Sequence, residues 1–354
     1  MYKVGVFPGK FFPPHRGHIN AVIHAATQCE KLYVVVSDNP EIARQKCLQA
    51  GIKEIPLSLR ARWMAKELKN FDHIKVLILN ESGIPEYPEG TVPWSKKLLE
   101  TIPEKFDALF GGEKEYEFTY MKNFPGVDYV LYDYDRSRYH MSGTKIRNNP
   151  LEHWDYILGP ARPHFAKRVL ITGVESCGKS TLAEYLGKIF HTSWTREYGR
   201  HFIEEELGGC DAAITKEDFI HIAKIQEQWD EEAIRNANRI VFFDSDATVT
   251  KYYCKLYTGR DCPELDRFID LFKYDRIIFL EPSVKWVDDG QRFISDQELR
   301  ERLSGMLKNM YGPYTNYRDR HSLICRFTVC DSPSYRDRLD FAISVADYLL
   351  AGGK

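Results

Sequence analysis

The second half of the chain contains a complete phosphate-binding loop, and no other feature constrains the fold as strongly. Residues 173–180 read Gly-Val-Glu-Ser-Cys-Gly-Lys-Ser and match the pattern G-x-x-x-x-G-K-[ST] at every fixed position. A strand-like run over residues 169–172 precedes the loop, and a helix-like run over residues 179–190 follows it. Strand, glycine loop and helix in this order favour a parallel α/β fold over a chance match in a glycine turn.

The loop residues predict contacts with a nucleoside triphosphate. Backbone N–H groups around Gly178 are expected to cradle the β-phosphate at a helix N-terminus, whose dipole favours negative charge. Lys179 is expected to bridge the β- and γ-oxygens, and the Ser180 hydroxyl is expected to complete the shell of a Mg²⁺ ion. The predicted nucleotide contacts of the loop are Glu175, Ser176, Cys177, Gly178, Lys179, Ser180 and Thr181.

The rest of the second half indicates which class of phosphate-loop protein this is. The sequence lacks the N-K-x-D motif of GTPases and the L-S-G-G-Q signature of transport ATPases, which leaves a small-molecule kinase. The apolar run 240–243 is followed by Asp244 and Asp246, where such folds hold Mg²⁺ through an aspartate. If the strand continues through these residues, both carboxylates point to the same side. The alternative is that Asp244 and Asp246 lie in a surface turn and bind no metal. We predict Asp244 as a catalytic metal ligand and Asp246 as a substrate contact.

Three other residues of this half are candidates for substrate binding and catalysis. Glu197 ends the strand after the loop helix, where nucleoside kinases place the carboxylate that accepts the hydroxyl proton, and a helix cap is the alternative. Arg292 lies in a candidate lid, residues 288–292, and would close on the transferring phosphate, unless this is an ordinary solvated loop. Trp286 either stacks on the substrate or packs in the core.

The first half predicts a second, different phosphate site. A strand-like run over residues 4–7 leads through a Gly/Pro-rich loop to His15 and His18, at the start of an expected helix. Two histidines at this spacing also fit a metal site or a surface. At a helix N-terminus they can donate hydrogen bonds to an α-phosphate under attack, and Arg147 would bind the departing pyrophosphate. The predicted nucleotide contacts are Phe7, Gly9, Lys10, Phe11, His15, His18, Gly112, Glu113, Ser142, Thr144 and Arg147.

Together these motifs resemble the nucleotidylyltransferase superfamily in the first half, and the whole chain resembles the bifunctional NadR family. The matching segments are residues 5–11, 136–139, 142–147 and 173–182. The resemblance implies an enzyme of NAD salvage that phosphorylates nicotinamide riboside with ATP to the mononucleotide, NMN. The other activity joins NMN to the adenylyl group of a second ATP, which gives NAD and pyrophosphate, with Mg²⁺ as cofactor in both steps.

Trp94 is the candidate nicotinamide contact of the first half. We place it in a long loop over residues 87–94, where an exposed ring could stack on the base, and a core or lid-packing tryptophan is the alternative. Gly112 and Glu113 follow the strand-like run 108–110, at the carboxyl edge where α/β folds bind ligands.

Two other interpretations stay open at this point. A coenzyme A synthase also joins such an adenylyltransferase to a phosphate-loop kinase, although its kinase loop is typically richer in glycine. A non-catalytic NAD-responsive regulator would use both sites only for binding. Some NadR family members begin with a DNA-binding helix-turn-helix, whereas this chain begins at the first strand, so we expect no DNA binding.

Two series of strand-like runs predict two α/β domains with parallel sheets. We expect a Rossmann-like nucleotidylyltransferase domain over residues 1–160 and a P-loop kinase domain over residues 161–354, with a short, proline-stiffened link at 158–163. The predicted strands are 4–7, 32–37, 74–79, 108–110 and 127–131 in the first series, and 169–171, 193–195, 240–243, 277–280 and 328–330 in the second.

Charge and composition exclude several kinds of partner. Lys and Arg total 49 against 51 Asp and Glu, which leaves no excess positive charge for a nucleic-acid groove or an anionic membrane. No run approaches the ~20 apolar residues of a membrane span. The 8 cysteines form no C-x-x-C pair, which favours reduced thiols. We expect a cytoplasmic protein, compatible with a homo-oligomer, whose partners are ATP, nicotinamide riboside, NMN and NAD.

Overall fold

The computed structural model describes residues 1–135, 137–284, 296–312 and 326–353, and the chain divides into two compact units. Unit 1 is Met1–Phe165 and unit 2 is Ala166–Lys354. Two predicted site residues, Trp286 and Arg292, lie outside the described residues, as does Arg136 of the segment 136–139. Each unit is built on its own parallel sheet, which confirms the predicted fold class.

Unit 1 alternates strands and helices, and its strands lie where the sequence predicts them, with small shifts at their ends. The strands are β1 (Tyr2–Gly9), β2 (Cys29–Asp38), β3 (Ile74–Asn80), β4 (Ala108–Gly111) and β5 (Asp128–Leu131). The helices are α1 (Arg16–Ala26), α2 (Pro40–Ala50), α3 (Leu57–Glu67), α4 (Thr91–Thr101), α5 (Glu117–Asn123), α6 (Gly143–Asn148) and α7 (Arg162–Phe165).

The strands of unit 1 form a 5-stranded parallel sheet in the order β3-β2-β1-β4-β5. The direction of winding reverses at β1, because β2 lies on one side of it and β4 on the other. Ligands of open α/β sheets bind outside the carboxyl ends of the strands at such a switch point. The topology therefore predicts a ligand site where β1 ends at Gly9 and β4 ends at Gly111.

Both faces of this sheet are covered, as is usual for parallel strands. Alternate residues of β2 enter different cores, with Leu32, Val34 and Val36 on one face and Tyr33 and Val35 on the other. The first core includes side chains of α1 and α3, and the second includes side chains of α4. Packing on both faces holds the strand ends, and with them the loops that follow, in fixed positions.

Unit 2 repeats the alternation of strands and helices. Its strands are β6 (Lys167–Thr172), β7 (Trp194–Thr195), β8 (Ile240–Phe243), β9 (Arg276–Leu280) and β10 (Arg326–Cys330). Its helices are α8 (Lys179–Ile189), α9 (Tyr198–Glu205), α10 (Lys216–Arg235), α11 (Ala247–Thr258), α12 (Gln297–Met310) and α13 (Tyr335–Leu350).

The sheet of unit 2 is also parallel, in the order β10-β9-β6-β8-β7. β6 lies at the switch point, between β9 and β8, and the phosphate loop follows it directly. All residues of β8 and β9 are buried, as the continuous apolar runs indicate. None of the helices in the described ranges combines the length and the hydropathy that crossing a bilayer requires.

The segment predicted as an interdomain link is part of unit 1. Leu158, Ala161 and Phe165 are buried, and the Phe165 ring lies 6.4 Å from that of Trp63 on α3. The compact unit accordingly runs to Phe165 and not to residue 160. A cut made to separate the units would leave each core intact only if it followed Phe165.

Candidate active sites

A cavity of about 750 Å³ opens at the carboxyl edge of the unit 1 sheet, at the switch point between β1 and β4. The cavity brings together residues that are far apart in the sequence, and their individual roles stay predictions. Its lining includes Phe7, Gly9, Lys10, Phe11, His15, His18, Trp94, Gly112, Glu113, Ser142, Thr144 and Arg147.

The two histidines form the N-terminal cap of α1. Nδ1 of His15 accepts a hydrogen bond from the Gly17 N–H at 3.2 Å, and Nδ1 of His18 accepts one from the His15 N–H at 3.2 Å. A ring nitrogen that accepts from an N–H carries no proton, so the proton of each neutral ring lies on Nε2. The rings stack with their centroids 3.7 Å apart. The cap therefore assigns the donor role to Nε2 in both histidines.

Phe12 lies between two buried guanidinium groups. Arg147 lies 4.3 Å and Arg60 lies 4.6 Å from the centroid of the Phe12 ring. Arg147 also donates to the Phe12 carbonyl oxygen and, at 3.0 Å, to Thr144 Oγ1. The start of α6 can lie this close to the Phe12 carbonyl oxygen only because residue 143 is glycine. A Cβ at Gly143 would collide with that oxygen. Arg147 is thus held as a fixed cation at the cavity wall.

Arg60 and Asp38 form a buried ion pair that sequence reasoning missed. Arg60 Nη1 lies 2.8 Å from Asp38 Oδ2 and donates to the Lys10 carbonyl oxygen at 2.8 Å. Lys10 Nζ lies 3.8 Å from Asp38 Oδ1. The pair ties the loop after β1 to the end of β2. These contacts span 22 and 50 positions, so no local pattern could have indicated them.

Trp94 lies in α4, so its predicted place in a loop is wrong. Pro93 does not prevent this helix, since proline is tolerated in the first turn of a helix. The half-buried indole stacks on Tyr120 with centroids 5.4 Å apart, and its Nε1–H donates to Ser37 Oγ at 3.0 Å and Glu81 Oε1 at 3.1 Å. Four aromatic residues form what we term the aromatic end of the cavity: Tyr87, Trp94, Tyr116 and Tyr120.

The phosphate loop of unit 2 joins β6 to α8, as the motif predicts. Gly173, Ser176 and Gly178 have positive φ angles of 145°, 61° and 83°. Lys179 is 6% exposed, and its Nζ donates to the Val174 carbonyl oxygen at 3.0 Å. The ammonium group therefore lies over its own loop, where phosphate oxygens are expected.

The other loop residues differ in what they can offer a nucleotide. The Cys177 side chain is fully buried and its Sγ donates to the Glu175 carbonyl oxygen at 3.6 Å, so the predicted contact of Cys177 is limited to its backbone N–H. Ser180 and Thr181 are exposed at the start of α8, where their hydroxyl groups can meet a ligand.

Asp244 is a buried carboxylate at the end of β8. It is 1% exposed, and neither carboxylate oxygen has a hydrogen-bond partner among the described residues. Burial raises the pKa of Asp244 from its ordinary value of 3.8 to about 6, against the opposing effects of Lys179 and the nearby Ser180 hydroxyl. An unpartnered anion in this position fits a cation as its missing partner, since a bound metal would satisfy both oxygens.

The burial of the unpartnered Asp244 carboxylate leads to a prediction for the stability of the protein without metal. The pKa of Asp244 is higher in the folded protein than in the unfolded chain. The ionised carboxylate therefore destabilises the folded protein, with the full penalty above pH ~6 and no penalty below pH ~4. The shift corresponds to a penalty on the order of 3 kcal/mol, which already includes the attraction of Lys179 for this carboxylate. Asp244→Asn should therefore melt at a higher temperature than wild type at pH 7.5 without Mg²⁺.

Melting curves over pH 4.5 to 8 in a chelator check this expectation. The gain in Asp244→Asn should shrink as the pH falls through ~6, because the wild-type carboxyl then takes up its proton. A variant that melts lower than wild type at every pH would show that the carboxylate is satisfied in the folded protein and needs no cation.

Asp246 does not extend β8, so the expectation that it points the same way as Asp244 through a continuing strand is wrong. β8 ends at Phe243, and Asp246 caps α11 by accepting from the Val249 N–H at 3.3 Å. Thr248 Oγ1 donates to Asp246 Oδ2 at 2.7 Å, and Tyr311 OH donates to Oδ1 at 2.6 Å. The carboxylate is thus already hydrogen-bonded on both oxygens, which weakens its predicted role as a substrate contact.

Glu197 lies between two backbone groups that a buried glutamine holds. Gln226 of α10 accepts from the Tyr198 N–H at 2.7 Å and donates to the Arg196 carbonyl oxygen at 3.1 Å. Gln226 is oriented in turn by Asp230, whose Oδ1 accepts from it at 3.0 Å. Glu197 is partly exposed and makes no hydrogen bond that caps α9, so the capping alternative is not supported. Sequence reasoning missed Gln226, which resembles any polar residue of an amphipathic helix.

The chain is similar in sequence and in fold to known proteins. A family model described as an AAA domain matches residues 168–317. The trifunctional NAD biosynthesis/regulator protein NadR of Escherichia coli (strain K12) is 33% identical over 311 residues, 87% of this chain and 76% of that protein. A solved NadR in complex with NR has a TM-score of 0.79 at 27% identity, and one in complex with NAD and AMP-PNP has 0.77 at 26%. Both alignments cover 100% of this chain and 97% of the other.

The cavity of unit 1 and the phosphate loop of unit 2, each at the switch point of a parallel sheet, are features of an α/β nucleotide transferase. The identity to the E. coli protein extends across both units and most of each chain. The chain belongs to the NadR family of NAD biosynthesis/regulator proteins.

Proposed function

We propose that unit 2 phosphorylates nicotinamide riboside with ATP and that unit 1 joins the resulting NMN to the adenylyl group of a second ATP. The products of the second step are NAD and pyrophosphate. The observation that carries the proposal is the cavity of unit 1, where His15, His18, Arg147 and the aromatic end line one space of about 750 Å³. Solved NadR proteins contain NR, NAD and AMP-PNP, which are ligands of the kind these reactions need.

In unit 1 the chemistry is substitution at the α-phosphorus of ATP. A phosphate oxygen of NMN attacks this phosphorus, the bond to the bridging oxygen breaks, and pyrophosphate leaves. The NMN phosphate is already ionised near neutral pH, so the step needs no general base. Negative charge grows on the α-phosphate oxygens, and the Nε2–H groups of His15 and His18 are donors for it. Arg147 supplies the cation that pairs with the leaving group.

The aromatic end of the cavity suits the base of NMN. The nicotinamide ring of NMN is a pyridinium cation, and the faces of Trp94 and Tyr120 attract such a ring. The hydrogen bonds of the indole to Ser37 and Glu81 fix its orientation before the ligand arrives, which lowers the entropy lost on binding. The base would lie at this end and the phosphate toward the histidines.

In unit 2 the 5′-hydroxyl of the riboside attacks the γ-phosphorus, and the bond to the β,γ-bridging oxygen breaks to release ADP. Glu197 accepts the hydroxyl proton, and Gln226 holds the backbone on both sides of it. Lys179 moves from the Val174 carbonyl oxygen to the β- and γ-oxygens when ATP binds.

Mg²⁺ is the proposed cofactor of both units. In unit 2 the unpartnered oxygens of Asp244 and the exposed Ser180 hydroxyl would hold it. Among the described residues no group of three or more His, Cys, Asp or Glu is arranged to hold a metal by itself. This fits an ion that is held by few protein ligands together with nucleotide oxygens. When bound, the ion neutralises charge that develops on the triphosphate.

Two separate assays of the purified full chain test the proposed function. With ATP, Mg²⁺ and nicotinamide riboside we expect NMN, and with ATP, Mg²⁺ and NMN we expect NAD and pyrophosphate, each identified by mass. Phosphopantetheine in place of NMN should give no product. Adenylylation of phosphopantetheine but not of NMN would establish the coenzyme A alternative. NAD binding without turnover of any substrate would establish a regulator.

A further inference from the structure

Two buried arginines lie against the phosphate loop of unit 2. Arg338 of α13 is 2% exposed and donates from Nη1 to the Cys177 carbonyl oxygen at 2.8 Å. Arg300 of α12 is 1% exposed and donates from Nη2 to the Ser176 carbonyl oxygen at 3.3 Å. Neither arginine belongs to the loop motif, since the two contacts span 161 and 124 positions.

These bonds determine which way the loop N–H groups point. In a trans peptide the C=O and the following N–H point in opposite directions, and the peptide bonds after Ser176 and Cys177 are trans. A donor that holds the Ser176 oxygen therefore turns the Cys177 N–H to the opposite side. The Arg338 bond to Cys177 does the same for the Gly178 N–H. Both N–H groups lie at the helix N-terminus where phosphate binds.

Arg338 is itself anchored by several segments. Its Nε donates to the Ser332 carbonyl oxygen at 2.7 Å, and its Nη2 donates to the Glu281 carbonyl oxygen and to Ser283 Oγ, both at 2.7 Å. One planar guanidinium group thus links the loop to the end of β9 and to the segment before α13. A lysine in its place could keep the charge but not this set of directed bonds.

We propose that Arg338 and Arg300 are positioning residues of the nucleotide site in unit 2. They hold two loop carbonyls outward, so that the Cys177 and Gly178 N–H groups are oriented for the β-phosphate before nucleotide arrives. Their buried positive charges also favour an anion on the opposite side of the loop. The inference rests on the proposed ATP site of unit 2 and does not depend on which acceptor is phosphorylated.

The test is the affinity of the full chain for ADP with Mg²⁺, measured by titration calorimetry. Each arginine makes charge-assisted bonds that orient the loop, so Arg338→Ala should raise the Kd about tenfold or more. Arg300→Ala should raise it less, because its bond to the loop is longer. Arg338→Lys should stay impaired, since charge without the planar fork cannot hold the same carbonyl groups. The KM for ATP should rise while the KM for the riboside stays near wild type.

Matched controls separate positioning from general stability. Arg336→Ala removes an exposed arginine of α13, and Arg302→Ala removes one of α12, so both should leave the Kd unchanged. If Arg338→Ala is insoluble, Arg338→Lys and Arg300→Ala decide the question. An unchanged ADP affinity in folded variants, or equal rises in the KM for ATP and for the riboside, would overturn the inference. Absence of ADP binding in wild type would instead remove the proposed kinase site itself.

Discussion

Lys179→Ala is expected to abolish phosphorylation of nicotinamide riboside while adenylylation of supplied NMN stays near wild type. Lys179 is the buried ammonium group of the phosphate loop, and its charge is needed where the β- and γ-oxygens gather negative charge. Loss of one such donor costs on the order of 10²–10³-fold in turnover. The activity of unit 1, measured on the same preparation, reports whether the protein remains folded.

The reverse result is expected for a change at the histidine pair. His18→Asn should remove adenylylation and spare phosphorylation of the riboside, because the asparagine carbonyl can still accept from the His15 N–H but offers no donor at the Nε2 position. Retention of α1 can be checked by the melting temperature. If either substitution removed both activities from a folded protein, the assignment of one reaction to each unit would be wrong.

The second large effect is expected at the proposed base of the kinase. Glu197→Gln should lower the turnover of unit 2 by ~10²–10⁴-fold, the usual contribution of general acid–base catalysis, with little change in ATP binding. The amide keeps the size of the carboxyl group but cannot accept the hydroxyl proton. Asp244→Asn should instead change the dependence of turnover on Mg²⁺, since both oxygens of this buried carboxylate lack a hydrogen-bond partner among the described residues.

A control in the helix that follows Glu197 makes the comparison sharper. Glu205→Gln alters an exposed glutamate of α9 and should leave turnover unchanged. Near-normal turnover in Glu197→Gln, together with collapsed turnover and unchanged Mg²⁺ dependence in Asp244→Asn, would reverse the two assignments. Asp244 would then be the base, and the ion would need other ligands.

Much of the fold was predictable because its signals are local. Most strands of the two sheets contain a short apolar run, and the phosphate loop, with its strand before and helix after, occupies consecutive residues. The order of the strands was not predictable in this way, because pairing joins distant segments. The cavity of unit 1 follows from that order, since it exists only where β1 and β4 end side by side.

The errors arose where a side chain acts through a distant contact or a helix end. Asp246 was expected on a continuing strand, but its carboxylate instead caps α11 and accepts a hydrogen bond from the distant Tyr311. Trp94 was expected in a loop, although the first helical turn accepts the proline that precedes it. Arg60 and Arg338 gave no signal at all, because buried arginines are recognised only by partners that the fold brings to them.

One labelling experiment tests the central claim that a single chain carries both reactions in sequence. The full chain is incubated with nicotinamide riboside, Mg²⁺ and ATP labelled with ¹⁸O on the non-bridging oxygens of its γ-phosphate. We predict NAD that carries the label in the phosphate on its nicotinamide side, because that group comes from the first ATP, while its adenylyl phosphate is unlabelled. Absence of NAD, or NAD without the label, would contradict the account.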